Sequence, residues 1–183
     1  MDSEVKKWIF ETGQECPGSW LIQAMSLKVA ADRLYWGDNP VKDDEATVSL
    51  VGPYKMLIGL AFENLLKGII LLNKLDKTGI SGLPKECFHH NINDLFEFLG
   101  DFEHSLDDEE KTHLINLSPF IEWAGRYHLP KKEKDIVPVQ HSNIERKLEL
   151  SAWEKLSSYI IKNGWVMKGG AIVDGGYRLY FDK

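Results

Sequence analysis

Residues 53–75 constrain this chain more than any other stretch. They contain no proline after Pro53 and little strand-like alternation, yet three polar side chains, Glu63, Asn64 and Lys67, stand in their middle. The fixed φ of Pro53 suits the first turn of a helix. At about 100° per residue the apolar side chains that follow fall all round the axis, the pattern of a helix enclosed by others. A membrane span needs on the order of 18 or more nearly uncharged residues, and Glu63, Asn64 and Lys67 interrupt the richest apolar run. The expected place for this helix is the centre of a protein core.

Flanking segments supply the enclosing helices. After Pro17-Gly18, Ser19 can cap a helix with Ala24, Leu27, Ala31 and Leu34 at helical spacing, ended by Gly37-Asp38-Asn39-Pro40. Ile92, Leu95, Phe96 and Leu99 form an amphipathic helix ending at Gly100. Ser105, followed by Asp107, Asp108, Glu109 and Glu110, reads as a cap with acidic charge over a first turn, where it favours the helix dipole. That helix runs through Leu114 and Leu117, and Pro119 should kink or restart it near Ser118. Ser142-Asn143-Ile144-Glu145 is a capping box for a last helix carrying Leu148, Ala152, Leu156, Tyr159 and Ile160, closed by Asn163-Gly164. Beyond it, WVMK, AIV and YRLYF separated by Gly-Gly pairs predict a small β-hairpin over residues 165–183. The expected architecture is all-α, an up-and-down bundle of four to five helices with a short C-terminal β-hairpin, one domain over residues 1–183.

Composition bounds the function. Net charge is −6, from 22 Lys plus Arg against 28 Asp plus Glu, so the molecule as a whole does not attract nucleic acid or an anionic membrane, and any anion site must be local. The first residues, MDSEVKKWIFETG, lack the basic start and long apolar core of a secretory signal, and the expected location is cytoplasmic, with no membrane partner. Cys16 and Cys87 are far apart and outside any CxxC, so reduced thiols are expected. Glu86-Cys87-Phe88-His89-His90 gathers metal-capable side chains, but a structural zinc needs four ligands and no second cluster appears, so neither metal nor cofactor is expected. Lys168-Gly169-Gly170 and Gly175-Gly176 match no phosphate-loop motif and read as turns.

Glu63 and Lys67 are four residues apart on the central helix. On an exposed helix such a pair is a solvated salt bridge worth a few tenths of a kcal/mol. On a helix this apolar the two charges need partners, because an isolated buried charge costs several kcal/mol; Arg126 and His90 are the suitable ones. Arg126, His128, Lys131, Lys132 and Lys134 fall within nine positions with Glu133 as the only acid, either a solvated linker or the chain's local anion site, to which Tyr127 can add base stacking.

Phe62-Glu63-Asn64-Leu65-Leu66-Lys67-Gly68, His90-Asn91-Ile92 leading to Leu95, and Ile121-Glu122-Trp123-Ala124-Gly125-Arg126-Tyr127 together resemble a family of bacterial HEPN-domain proteins, over residues 20–160 in outline. The resemblance implies a helical bundle, often a homodimer, whose inner charged residues meet in a cleft. It implies RNA-cleaving toxins, nucleotide-binding or RNA-binding modules, or companions of nucleotidyltransferases or antitoxins. Nuclease members carry Arg followed four to six residues later by His on one helix. Here Arg126 is followed by His128, two positions on, and residues two apart on a helix face different ways. The ribonuclease motif is absent, and the expected function is binding of a nucleotide, RNA or a partner protein through a cleft of Glu63, Lys67, His90 and Arg126, with Tyr127, His128, Lys131 and Lys132 at its edge. Two alternatives stand beside it. One is a metal-independent ribonuclease toxin with His90 and Arg126 as catalytic pair; the other is a structural dimerisation module, in which His90 is a capping or core histidine.

Overall fold

The computed structural model describes residues 3, 4, 6, 7, 16–36, 50–78, 83–124 and 142–163. Every regular element among them is helical: α1 (Pro17–Trp36), α2 (Val51–Thr78), α3 (Ile92–Phe96), α4 (Asp108–Ile115) and α5 (Asn143–Asn163), with 3₁₀ turns at Lys85–Phe88 and Gly100–Ser105 and a π turn at Phe120–Ala124. The all-helical expectation holds for these residues. The hairpin expected over 165–183 lies outside them.

The central position expected of residues 53–75 is where α2 sits. It packs against α1, α3, α5, the π turn and the first 3₁₀ turn, and Ile58, Phe62, Leu65, Leu66, Ile69 and Ile70 are each 0% exposed. At about 1.5–3 kcal/mol for each large apolar side chain removed from water, this one helix contributes a large part of the hydrophobic drive to fold. Its segment Val51–Lys74 is long and apolar enough to cross a membrane by length and composition, and 72% of that segment's apolar window is buried inside the protein. Two glycines let neighbours approach. A methyl on Gly59 would come within 2.9 Å of Ile121 Cγ1, and one on Gly68 within 3.1 Å of Ile160 Cδ1 and 3.2 Å of Trp20 Cβ. Nine residues apart, they open opposite sides of α2, one to the π turn and the other to α1 and α5.

The caps explain the ends. In α5 the Ser142 amide donates to Glu145 Oε2 at 2.7 Å and the Glu145 amide to Ser142 Oγ at 3.2 Å, the reciprocal box read in the sequence. In α4 the cap is Asp107, not Ser105. Asp107 Oδ1 accepts from the Glu110 amide at 2.8 Å and Glu110 Oε2 accepts from the Asp107 amide at 3.0 Å. The Ser105 hydroxyl instead donates to the Phe102 carbonyl at 2.8 Å inside the 3₁₀ turn. A carboxylate accepts from a helix amide more strongly than a hydroxyl and also meets the dipole, so the later residue wins. Helix α3 stops at Phe96, shorter than the apolar spacing through Leu99 suggests, and Leu99 is buried from the turn that follows.

Pro119 restarts the chain as expected, but as a wider turn. With no amide on Pro119, the Leu117 carbonyl accepts from both Phe120 (3.0 Å) and Ile121 (3.3 Å), and the five-residue π turn follows. A β-carbon built on Gly52 would lie 3.8 Å from the Ala124 carbonyl oxygen, so this described segment ends beside the first turn of α2.

Candidate functional site

Glu63, Lys67 and His90 come together. Lys67 Nζ donates to Glu63 Oε1 at 2.6 Å and both side chains are 5% exposed, so the pair is a core feature and not a surface salt bridge. His90 Nδ1 stands 3.0 Å from the same Glu63 oxygen, while its side chain is 67% exposed. The Lys67 ammonium also lies over the Trp20 ring, 6.0 Å from its centroid. Asn64, the third polar residue of this helix, donates to the Leu60 carbonyl one turn back at 2.7 Å and takes no part.

The backbone that carries His90 is fixed from the other side. Asn91 caps α3 by accepting from the Asn93 amide at 2.9 Å, and the Ile92 amide donates to Ser118 Oγ at 3.0 Å. Asn91 Nδ2 reaches Glu122 Oε1 on the π turn at 3.4 Å. His89 faces Asp94, 3.3 Å away, rather than the cluster. Cys87 packs beneath, its thiol pushed up to about 11 by burial, which leaves it protonated and inert at neutral pH. Among the described residues no group of His, Cys, Asp and Glu is arranged to hold a metal.

Arg126, Tyr127, His128, Lys131 and Lys132 lie outside the described residues. Both described ends of their segment sit near the start of α2. Ala124 is beside Gly52, and Glu145, in the box that begins α5, accepts from Lys55 at 3.2 Å. Glu63 is eleven residues farther along α2 than Gly52, about 16 Å at 1.5 Å per residue.

At that end of α2 stands a second polar centre that the sequence reading missed. The Tyr54 hydroxyl donates to Glu149 Oε2 and accepts from Arg146 Nη1 at 3.1 Å. The same guanidinium reaches Glu149 Oε2 at 3.4 Å and Asp32 Oδ1 on α1 at 2.5 Å, and lies over the Tyr35 ring. His113 Nε2 from α4 is 3.2 Å from Glu149 Oε1. Tyr54, His113, Arg146 and Glu149 are all buried. Burial first, then the Glu149 carboxylate, push the Tyr54 phenol far above its ordinary range. Burial works against the Arg146 charge, but Asp32 and Tyr54 outweigh it and hold the guanidinium more firmly protonated than usual. Desolvation likewise opposes ionisation of Glu145, yet the Lys55 ammonium and the Ser142 amide bring its carboxyl below the usual range.

A signal for this centre was present. Glu149 falls at helical spacing with Ala152, Leu156 and Ile160 in the apolar row of α5, the same intrusion of charge into a buried face that marks Glu63. A concavity of about 210 Å³ lined by Leu34, Tyr35, Leu50, Val51 and Tyr54 adjoins the centre.

The two centres differ chemically. Hydrogen bonds within the second join α1, α2, α4 and α5, and such a network orders the helices it spans. The first ends in an exposed imidazole held by buried charges, an arrangement able to meet a ligand. Comparison with known protein families, with curated proteins and with solved structures finds no match to this chain.

Proposed function

We propose that the chain is a HEPN-like domain, an up-and-down helical bundle, that binds a nucleotide or RNA at the His90 cluster. One observation carries this reading: two buried charges, Glu63 and Lys67, are kept in a hydrophobic helix where they hold an exposed histidine. Burying an ion pair costs desolvation that its own attraction only partly offsets, and apolar replacements of such pairs are often neutral or stabilising. The geometry therefore fits selection for what the pair does to His90. Arg126, Tyr127, His128, Lys131 and Lys132 supply the cationic and stacking groups that a phosphate-bearing ligand needs, in a chain whose overall charge repels it.

Fluorescence anisotropy of an end-labelled mixed RNA pool, with calorimetric titration of mononucleotides, tests the reading on wild type and His90→Ala. Binding that weakens at least tenfold in a variant with unchanged melting supports it. Equal binding by both proteins, or none by either, overturns it.

The exposed, carboxylate-held imidazole also fits a second reading, a metal-independent ribonuclease in which His90 takes a proton and Arg126 meets the phosphate. Incubating the same pool with highly purified protein and with Arg126→Ala, both in EDTA, separates the two. Cleavage that disappears in the folded variant favours the nuclease, and intact RNA in both lanes leaves the binding module.

A further inference from the structure

His90 is the member of its cluster that a solute can reach. Its side chain is 67% exposed, against 5% for Glu63 and 5% for Lys67. Its freedom is restricted twice. The Ile92 amide on Ser118 and the Asn91 cap pin the backbone immediately after it, and Glu63 Oε1, 3.0 Å from Nδ1, pins the ring. An ionised carboxylate has no proton to give, so Nδ1 must be the donor in that contact. In a neutral imidazole the other nitrogen, Nε2, then carries the lone pair. Lys67, 2.6 Å from the same oxygen, compensates the carboxylate charge from the buried side.

We infer that Glu63 is a positioning residue that locks His90 as its Nδ1–H tautomer and turns the Nε2 lone pair outward to accept from a hydroxyl or N–H of the bound ligand. The inference rests on the nucleotide or RNA reading for its ligand, and on geometry alone for its tautomer. His90 then reads a donor on the sugar or base of that ligand. Lys67 contacts no ligand and serves by keeping Glu63 in place.

The test uses the full chain labelled with ¹⁵N-histidine, with spectra taken over an alkaline pH series until they stop changing. Long-range ¹H–¹⁵N correlation spectra report the tautomer of each ring, and the His90 signals are those lost in His90→Gln. The wild type is expected to show the Nδ1–H pattern. Glu63→Met alone leaves Lys67 buried without its partner and is prone to unfold, so the decisive variant is the double Glu63→Met/Lys67→Met, which removes both charges together. In that variant His90 should revert to the Nε2–H form that free histidine favours. An Nε2–H pattern in the wild type, or Nδ1–H persisting in the folded double variant, overturns the positioning role. Adding decauridylate or AMP to the wild type then tests the ligand half. A shift of the His90 Nε2 resonance supports it; no shift with either, in a protein that does show the Nδ1–H tautomer, removes the nucleotide reading while the positioning role stands.

Discussion

Glu149, 1% exposed, receives Tyr54, Arg146 and His113 together. Glu149→Gln removes the carboxylate that Tyr54, Arg146 and His113 share while Asp32 still pairs with Arg146, and should cost about 1–3 kcal/mol, read as a lower urea midpoint with unchanged slope. Tyr54→Phe deletes one hydroxyl and should cost about 1 kcal/mol at neutral pH. The phenol adds a pH effect of definite sign. Its folded value lies above the ordinary 10.0, so above about pH 10 the unfolded chain loses a proton that the native protein keeps, and stability falls as pH rises. Tyr54→Phe should flatten that alkaline limb. Glu145 acts at the other end of the scale. Its carboxyl is held below the ordinary 4.5, so it contributes stability that is complete above that value and is lost as pH falls through the depressed one. Lys55→Met removes the main group holding it down, and the stability difference from wild type should be constant above about pH 5.5 and shrink below about pH 4 in acid titrations followed by circular dichroism.

At the level of elements, helix ends were legible because their causes are local. The Ser142 box and the break at Pro119 each depend on residues within one turn. Where two caps competed, at Ser105 and Asp107, position alone did not decide, and the carboxylate prevailed. Asp107→Ala should cost about 1 kcal/mol, whereas Ser105→Ala should cost only a few tenths. The close approach at Gly59 was not legible, because nothing in a helical pattern says which glycine faces a neighbour. Gly59→Ala places a methyl 2.9 Å from Ile121 Cγ1. That branch atom cannot swing aside as a chain end can, so the variant should lose about 1–3 kcal/mol and disturb the π turn, seen as amide shifts over residues 120–124.

For the molecule as a whole, the apolar rows of the sequence lead to a buried α2 surrounded by helices, and charge within such a row led to Glu63, Lys67 and His90. The Tyr54–Arg146–Glu149 centre joins residues far apart in sequence, with no motif to announce it. The HEPN-like reading adds an oligomeric expectation, a homodimer in sedimentation velocity at micromolar concentration, and a monomer across that range would remove this part of it.

The same centre has a consequence for the order in which the chain folds. Arg146 is 92 residues from Tyr54 and 114 from Asp32. Contacts of that span close late, after the loop entropy has been spent on nearer ones. The α1–α2 pair, adjacent in sequence, has only local loops to close, whereas α5 must arrive before Asp32 and Tyr54 find Arg146. Mutations at Arg146 should therefore accelerate unfolding and leave the folding rate nearly unchanged, with φ-values near 0, while Leu65→Ala in α2 slows folding. A nascent chain stopped short of residue 143 would hold its two long apolar helices together with Asp32 and Tyr54 still waiting for Arg146, so the arrival of α5 completes the polar interior as well as the apolar one.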